Sequence, residues 1–381
     1  MQEKYIYFFS KDRSEMPKVK NPKFVLGGKG SSLIGMTEKG IPVPPGFVIS
    51  IDVCDHYYKN DQKYPKGLEI EIKENLKALE TATGKKFGDQ SNPLLVSVRS
   101  GAAISMPGMM DTVLNLGLNE ETLKGLIKNS GDERFAWDSY RRFIQMFGDV
   151  VMGIEHHKFE GILETLKKEA GVKLDTELDV DDLKELVSRY KKLYKTVLGE
   201  DFPSDPVVQL NKGIEAVFKS WNNPRAISYR RINKISQDII GTAVNVQSMV
   251  FGNMGDNSGT GVAFTRNPST GENKYYGEYL MRAQGEDVVA GIRTPKHLDD
   301  MKKELPEVYE ELTSIFDRLE KEYKDMMDVE FTIENGTLYI LQSRSGKRTG
   351  PAAVRIAVDL VSEKILTKEE AILKVEPESL D

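Results

Sequence analysis

Apolar and polar residues alternate over two adjacent stretches towards the C-terminal end, and this alternation predicts a β-hairpin. The first stretch covers residues 328–333 and the second covers residues 338–341. The dipeptide Asn335-Gly336 between them is typical of a tight turn. Because successive side chains of a strand point to opposite faces, such a hairpin has one apolar face and one polar face.

The register of this hairpin decides which side chains share the polar face. A two-residue loop would place Gln342 on the opposite face from Glu330. A three-residue loop that ends at a left-handed Gly336 pairs Glu330 with Ile340 instead. We predict the three-residue loop, since glycine accepts the left-handed position without strain.

In the predicted register four polar side chains lie on one face: Asp328, Glu330, Gln342 and Arg344. Two carboxylates and an amide oxygen form a hard ligand set that suits Mg²⁺. The neighbouring guanidinium could hold a phosphate group. The alternative is the solvated outer face of a surface hairpin.

A glycine-rich segment near the N-terminus precedes a predicted helix that extends to Gly40. Its sequence, Val25-Leu-Gly-Gly-Lys-Gly-Ser-Ser, places Lys29 at the helix entry. Exposed amides at a helix N-terminus and a lysine together attract phosphate. The spacing of a P-loop is missing. The alternative is an ordinary helix entry with a lysine in solvent.

Arg99 follows a short apolar run, residues 94–98, that is typical of a buried strand. A loop rich in Gly, Met and Pro comes after it. Binding residues are often found where a strand ends in a loop. A structural salt bridge is the other interpretation of this arginine.

The segment 255–268 combines several glycines with Ser258 and Thr260. We predict a mobile hairpin loop whose backbone amides could close over phosphates. Its composition alone is equally consistent with a flexible turn.

The order of predicted elements indicates an α+β protein with two lobes and a helical insertion. We assign residues 1–118 and 200–240 to the first lobe, residues 119–199 to the insertion and residues 241–344 to the second lobe. Residues 345–381 are predicted to form a linker. With no Walker A motif, this order fits a nucleotide clamp better than a Rossmann or P-loop fold.

Composition and charge exclude several classes of protein. A net charge of −6 argues against a general nucleic-acid binder. The single cysteine, Cys54, excludes an internal disulfide and a cysteine-based zinc site. No apolar run is long enough to span a bilayer, and the N-terminus does not read as a signal peptide. We therefore expect a cytoplasmic protein with no membrane or nucleic-acid partner.

Long stretches of the chain resemble the pyruvate phosphate dikinase family. They cover residues 94–102, 105–118, 140–146, 258–272 and 283–291. The run Ser105-Met-Pro-Gly-Met-Met resembles this family more than the related water-dependent phosphoenolpyruvate synthases. The resemblance implies an ATP-grasp-like nucleotide-binding fold.

The resemblance also implies roles for individual residues. Lys29 and Arg99 would bind the ATP phosphates, and Arg344 would assist Asp328, Glu330 and Gln342, which would hold Mg²⁺. The resemblance implies further nucleotide contacts, and the spacing alone gives no independent case for three of these residues, Glu286, Asp287 and Arg142. Gln247, Met249 and Val250 would run along the adenine, with backbone hydrogen bonds at Met249. Thr260 and Gly261 would lie in a phosphate loop. Glu286, Asp287 and Arg142 would support nucleotide and phosphate binding.

The reaction implied by the resemblance uses MgATP and inorganic phosphate to phosphorylate a histidine, and it gives AMP and pyrophosphate. The full enzyme, a homodimer, would interconvert pyruvate and phosphoenolpyruvate. No phosphohistidine motif or pyruvate-binding barrel is found in the 381 residues. We expect the acceptor histidine on a separate domain, to which residues 345–381 lead, and no complete reaction from this chain alone. The alternatives are a related water dikinase or antibiotic phosphotransferase, and a nucleotide-binding module without catalysis.

Overall fold

The computed structural model describes residues 4–236, 238–290 and 293–377, and for residues 286, 289 and 290 it describes the backbone only. The chain divides into two compact units. Unit 1 contains Met1–Glu38 and Pro44–Met249, and unit 2 contains Lys39–Val43 and Val250–Asp381. Helices and mainly antiparallel sheets occur in both units, which confirms the predicted α+β class.

Unit 1 is built on a six-stranded sheet with the strand order β2-β1-β3-β8-β6-β7, and a short parallel pair, β4 and β5, lies apart from it. The strands are β1 (Ile6–Ser10), β2 (Arg13–Ser14), β3 (Gly46–Ile49), β4 (Lys86–Phe87), β5 (Pro93–Leu94), β6 (Val96–Ala102), β7 (Thr112–Leu116) and β8 (Thr242–Ser248).

Strand β8 corrects one predicted boundary. The boundary at residue 241 would assign this strand to the second lobe, but β8 pairs with β3 and β6 in the sheet of unit 1. Every residue of β8 is buried. A strand that is buried on both faces carries no alternation that could indicate its sheet.

The helices of unit 1 surround this sheet and form the region between β7 and β8. They are α1 (Lys23–Glu38), α2 (Ile51–Lys59), α3 (Leu68–Thr83), α4 (Glu120–Ser130), α5 (Glu133–Met146), α6 (His156–Ala170), α7 (Val180–Leu198), α8 (Pro206–Ser220) and α9 (Pro224–Ile232). Helix α7 is capped at its N-terminus, because the Asp179 side chain accepts a hydrogen bond from the Asp182 amide.

A buried ion network holds α5 against the turn Asp175–Glu177. Arg141 Nε lies 2.7 Å from Asp138 Oδ1, and Arg141 Nη2 lies 2.8 Å from Asp175 Oδ2. Arg142 Nε lies 2.9 Å from the second oxygen of Asp138. Burial alone raises the pKa of Asp138, but the charges of Arg141 and Arg142 outweigh it and lower the pKa to about 2.

Replacing Asp138 by Asn is expected to destabilise unit 1 by about 3 kcal/mol, because Arg141 would stay buried without its closest counter-charge. Since the folded pKa lies below the unfolded value, the ionised group stabilises the protein above about pH 4, and this contribution is lost as the pH falls towards 2. Chemical denaturation of wild type and variant between these pH values measures both effects. Glu185→Gln breaks an exposed pair with Arg189 and serves as the control; an equal loss in the two variants would contradict the account.

Unit 2 is built on a five-stranded sheet with the order β11-β10-β9-β12-β13. The strands are β9 (Gly259–Phe264), β10 (Tyr276–Met281), β11 (Lys296–His297), β12 (Met327–Glu334) and β13 (Thr337–Ser345). The helices are α10 (Gly285–Ala290), α11 (Leu298–Glu304), α12 (Pro306–Tyr323), α13 (Gly350–Ser362) and α14 (Lys368–Ile372). None of the helices in the described part of the chain combines the length and apolar character needed to cross a membrane.

Helix α13 is an integral part of unit 2, although it falls in the predicted linker. Ile356 and Leu360 pack in a buried apolar cluster with Met326. The buried Arg266 pairs with Glu320 of α12, and its Nη2 lies 2.6 Å from Oε2 of Glu363, directly after α13. The amphipathic pattern of α13 therefore reflects packing onto unit 2.

Candidate functional site

The hairpin of β12 and β13 turns through two residues, not three. Ile333 pairs with Leu338 and Glu334 pairs with Thr337, so only Asn335 and Gly336 form the loop. Both have positive φ, 48° at Asn335 and 80° at Gly336. Turns of this kind match the twist of the two strands. The predicted three-residue loop, with Glu330 opposite Ile340, is wrong.

A β-bulge nevertheless restores the predicted polar face. Phe331 pairs with Ile340, whereas the preceding Glu330 pairs with Gln342, so Leu341 is the extra residue of β13. One extra residue reverses the phase of the alternation beyond it. Gln342 therefore returns to the face of Glu330, as the sequence predicted, but by a different route.

Two cross-strand pairs now lie on this face of unit 2. Gln342 Nε2 donates a hydrogen bond to Glu330 Oε1 at 3.1 Å. Arg344 Nε donates to Asp328 Oδ2 at 2.7 Å. Asp328 is only 9% exposed, which argues against a fully solvated outer face.

The donor set on this face fits a magnesium ion. Glu330 is half-buried and supplies a carboxylate, and Arg344 orients the carboxylate of Asp328. Turning the Gln342 amide by 180° would present its oxygen in place of its nitrogen. Within the described ranges no group of three or more His, Cys, Asp or Glu residues could hold a metal. A hard cation here would therefore complete its shell with water or phosphate oxygens, as Mg²⁺ commonly does.

In unit 1, Gly27 breaks α1 into two segments. Its φ of 69° and ψ of 170° are not helical. A Cβ added at Gly27 would lie 1.8 Å from the carbonyl oxygen of Gly101, so the chain approaches β6 more closely than any other residue allows. The second segment starts after this kink, and Lys29 stands in its first turn.

Lys29 and Arg99 lie on the same side of the sheet of unit 1. A Cβ on Gly101 would be 3.5 Å from Cβ of Lys29, so this face of β6 is turned towards the lysine. Arg99 precedes Gly101 by two residues, and side chains two apart on a strand share a face. Lys29 and Arg99, both of which are predicted to bind phosphate, thus share one side of the sheet of unit 1.

A family model described as "Pyruvate phosphate dikinase, AMP/ATP-binding domain" matches residues 24–80, 61–308 and 299–364 of this chain. The chain belongs to this family. It is 58% identical over 378 residues to the chloroplastic pyruvate, phosphate dikinase of Mesembryanthemum crystallinum, with 99% of this chain and 39% of that protein covered. It is 53% identical to the pyruvate, phosphate dikinase of Clostridium symbiosum, with 99% of this chain and 43% of that protein covered. The chain therefore spans about two fifths of the length of these relatives.

The residues that the resemblance assigns to adenine binding lie in the sequence where unit 1 ends and the second segment of unit 2 begins. Gln247 is buried in β8, and its Nε2 donates to the Pro44 carbonyl oxygen at 2.9 Å. The Met249 amide donates to the Leu95 carbonyl oxygen at 2.9 Å. Since this N–H is already used in unit 1, a base contact at Met249 has to use its carbonyl oxygen. Val250 is the first residue of the second segment of unit 2.

Thr260 and Gly261 lie inside β9, so the prediction that they belong to a mobile loop is wrong. Thr260 is buried, and its Oγ1 donates to the Phe331 carbonyl oxygen at 3.0 Å. A Cβ on Gly261 would lie 2.5 Å from the ring of Phe331. Glycine here serves close packing in a central strand, which composition cannot distinguish from flexibility.

Three other implied residues have structural contacts or lie outside the description. Arg142 is ion-paired with Asp138 in α5. Asp287 Oδ2 accepts a hydrogen bond from the Gln284 amide at 2.8 Å, next to the start of α10. The side chain of Glu286 lies outside the described residues. A nucleotide contact for Arg142, Glu286 and Asp287 stays a prediction.

Sequence reasoning missed how the glycine-rich loop before β9 is anchored. Glu334 Oε2 accepts a hydrogen bond from the Phe251 amide at 2.6 Å. The Asn335 amide donates to Ser258 Oγ at 2.9 Å, and the Gly336 amide donates to the Asn257 carbonyl oxygen at 2.8 Å. The tip of the hairpin thus fixes both ends of this loop. These contacts depend on the two-residue turn, and the predicted three-residue loop does not provide them.

Proposed function

We propose that this chain is the ATP-binding part of a pyruvate phosphate dikinase. It binds MgATP and, with inorganic phosphate, phosphorylates a histidine on another domain, which yields AMP and pyrophosphate. The proposal rests above all on the polar face of β12 and β13. That face pairs Glu330 with Gln342 and Asp328 with Arg344 in a member of an AMP/ATP-binding family.

In this proposal the residues of unit 1 and unit 2 have different tasks. Lys29 and Arg99 neutralise and orient the phosphates, since phosphoryl transfer depends on position and charge. Glu330, Gln342 and Asp328 hold Mg²⁺, and Arg344 orients the carboxylate of Asp328 through its hydrogen bond. The bound ion would neutralise part of the phosphate charge.

Transfer of label from ATP tests this proposal against its alternatives. The chain is incubated with ATP labelled in its β- and γ-phosphates and with a separately produced histidine-bearing domain of a relative. We expect label on that domain and formation of AMP, both dependent on inorganic phosphate. AMP formation without any phosphate requirement would indicate a water dikinase. Tight ATP binding with no transfer would indicate a binding module without catalysis.

The proposal also includes properties of the full-length protein. The reaction of the whole enzyme would interconvert pyruvate and phosphoenolpyruvate, and the enzyme would be a homodimer in the cytoplasm. Several relatives carry names that specify the chloroplast. Fractionation of cells and sedimentation of the full-length protein would test its location and its oligomeric state.

A further inference from the structure

Asn245 occupies the centre of the face that carries Arg99 in unit 1. It lies on β8 directly opposite Arg99 on β6, and it is 1% exposed. Its Nδ2 donates to the Arg99 carbonyl oxygen at 3.4 Å. The side chain therefore contacts the strand that carries one of the two phosphate-binding residues of unit 1.

The same carboxamide also fills space left by two glycines. A Cβ on Gly30, next to Lys29, would lie 3.0 Å from Asn245 Oδ1. A Cβ on Gly101 would lie 2.7 Å from Asn245 Nδ2. Asn245 thus touches the turn that carries Lys29 as well as the strand that carries Arg99.

The oxygen of this carboxamide is not explained by packing. Asn245 Oδ1 is buried and has no hydrogen-bond donor among the residues the structure describes. A buried acceptor without a donor costs about 1–3 kcal/mol. An apolar side chain would avoid this cost, and the position of the amide between the strand of Arg99 and the turn of Lys29 points to a task at that place.

We propose that Asn245 is a positioning residue for nucleotide phosphates. Its Nδ2 is held by the β6 backbone, and its Oδ1 faces the turn after the kink of α1. It thereby sets the separation between Lys29 and Arg99. This inference rests on the proposed binding of ATP phosphates by those two residues.

The test compares binding of ATP with binding of adenosine, both measured by competition with a fluorescent nucleotide. For Asn245→Ala we expect the Kd for ATP to rise about tenfold, a loss of about 1.4 kcal/mol, while the Kd for adenosine stays within twofold. A purely structural role would change both affinities or neither. Asn115→Ala is the matched control. Asn115 is also a buried asparagine of unit 1, and its Nδ2 lies 3.4 Å from the Ser139 carbonyl oxygen. It should lower the melting temperature without an ATP-specific loss.

A second variant distinguishes the effect of the space that the Asn245 side chain fills from the effect of its amide group. Asn245 is the close neighbour that obstructs a methyl group at Gly101, so Gly101→Ala/Asn245→Ala refills the space that Asn245→Ala opens. We expect the double variant to regain most of the melting temperature but to keep the tenfold weaker ATP affinity.

The outcomes distinguish this inference from the proposed function. Wild-type affinity for ATP in Asn245→Ala, or its recovery in the double variant, would overturn the positioning role and leave ATP binding intact. An equal loss for ATP and adenosine would also overturn it. Absence of ATP binding by the wild-type chain would overturn the proposed function, and the inference with it.

Discussion

Replacing Glu330 by Gln is expected to abolish the effect of Mg²⁺ on ATP binding while unit 2 stays folded. The change keeps the size of the side chain and a hydrogen-bonding partner for Gln342, but it removes one of the two carboxylates that we assign to the metal site. Removing a group that only supports a metal ligand already costs about 10–100-fold in metal affinity or activity, so we expect about 100-fold or more here. The measurements are ATP affinity with and without Mg²⁺ and the rate of label transfer.

Glu278→Gln is the matched control for this experiment. Glu278 lies on the same face, because it pairs with Val262 of β9, and Val262 in turn pairs with Glu330. The substitution Glu278→Gln makes the same change of charge on β10, a strand that we do not assign to the site. Equal losses in the two variants would mean that only the net charge of the face matters. Unchanged Mg²⁺ dependence in Glu330→Gln would remove the metal assignment.

Replacing Gly27 by Ala is expected to destabilise unit 1 by about 3 kcal/mol or more and to weaken ATP binding. The added methyl group would meet the Gly101 carbonyl oxygen at 1.8 Å, and this clash can be relieved only by moving the backbone at residue 27 or at Gly101. The backbone conformation at Gly27, with φ 69° and ψ 170°, is essentially restricted to glycine and adds strain of about 1–3 kcal/mol. Any backbone movement that relieves this clash would also displace the turn that carries Lys29. Thermal unfolding and ATP titration measure the two consequences.

Gly84→Ala is a control with a positive φ but without the clash. Gly84 ends α3 in unit 1 with a φ of 67° and a ψ of 11°, which is the left-handed helical conformation, and a Cβ there would meet nothing within 4 Å. We expect it to lower stability by about 1 kcal/mol, which corresponds to a melting temperature about 2–4 °C lower, with ATP affinity unchanged. If the two alanine variants behaved alike, the close approach to β6 would have no energetic importance.

The sequence predicted the members of the polar face but not the way the chain assembles them. Asn335-Gly336 is the strongest local signal for a two-residue turn, and the structure follows it. The bulge at Leu341 has no such signal, because the apolar and polar pattern of β13 is compatible with either phase. A single unpaired residue decided the register, and only the pairing of the whole sheet reveals it.

Two glycine-rich segments of similar composition have different structures in this chain. Around Gly27 the prediction of a glycine-rich helix entry was sound, since the structure has a kink and a helical turn there. Around Gly261 the same composition belongs to a central strand packed on Phe331. Glycine permits both a left-handed turn and a close approach, and the neighbours that distinguish them lie far away in sequence. Asn245 was missed for the same reason, because its neighbours come from α1 and β6.

Titration of the chain with ATP, with and without Mg²⁺, tests the central claim most directly. Isothermal calorimetry on the wild-type chain measures affinity and stoichiometry in one experiment. We predict saturable binding of one ATP per chain that becomes tighter when Mg²⁺ is present. The absence of saturable binding at millimolar ATP under both conditions would contradict the account.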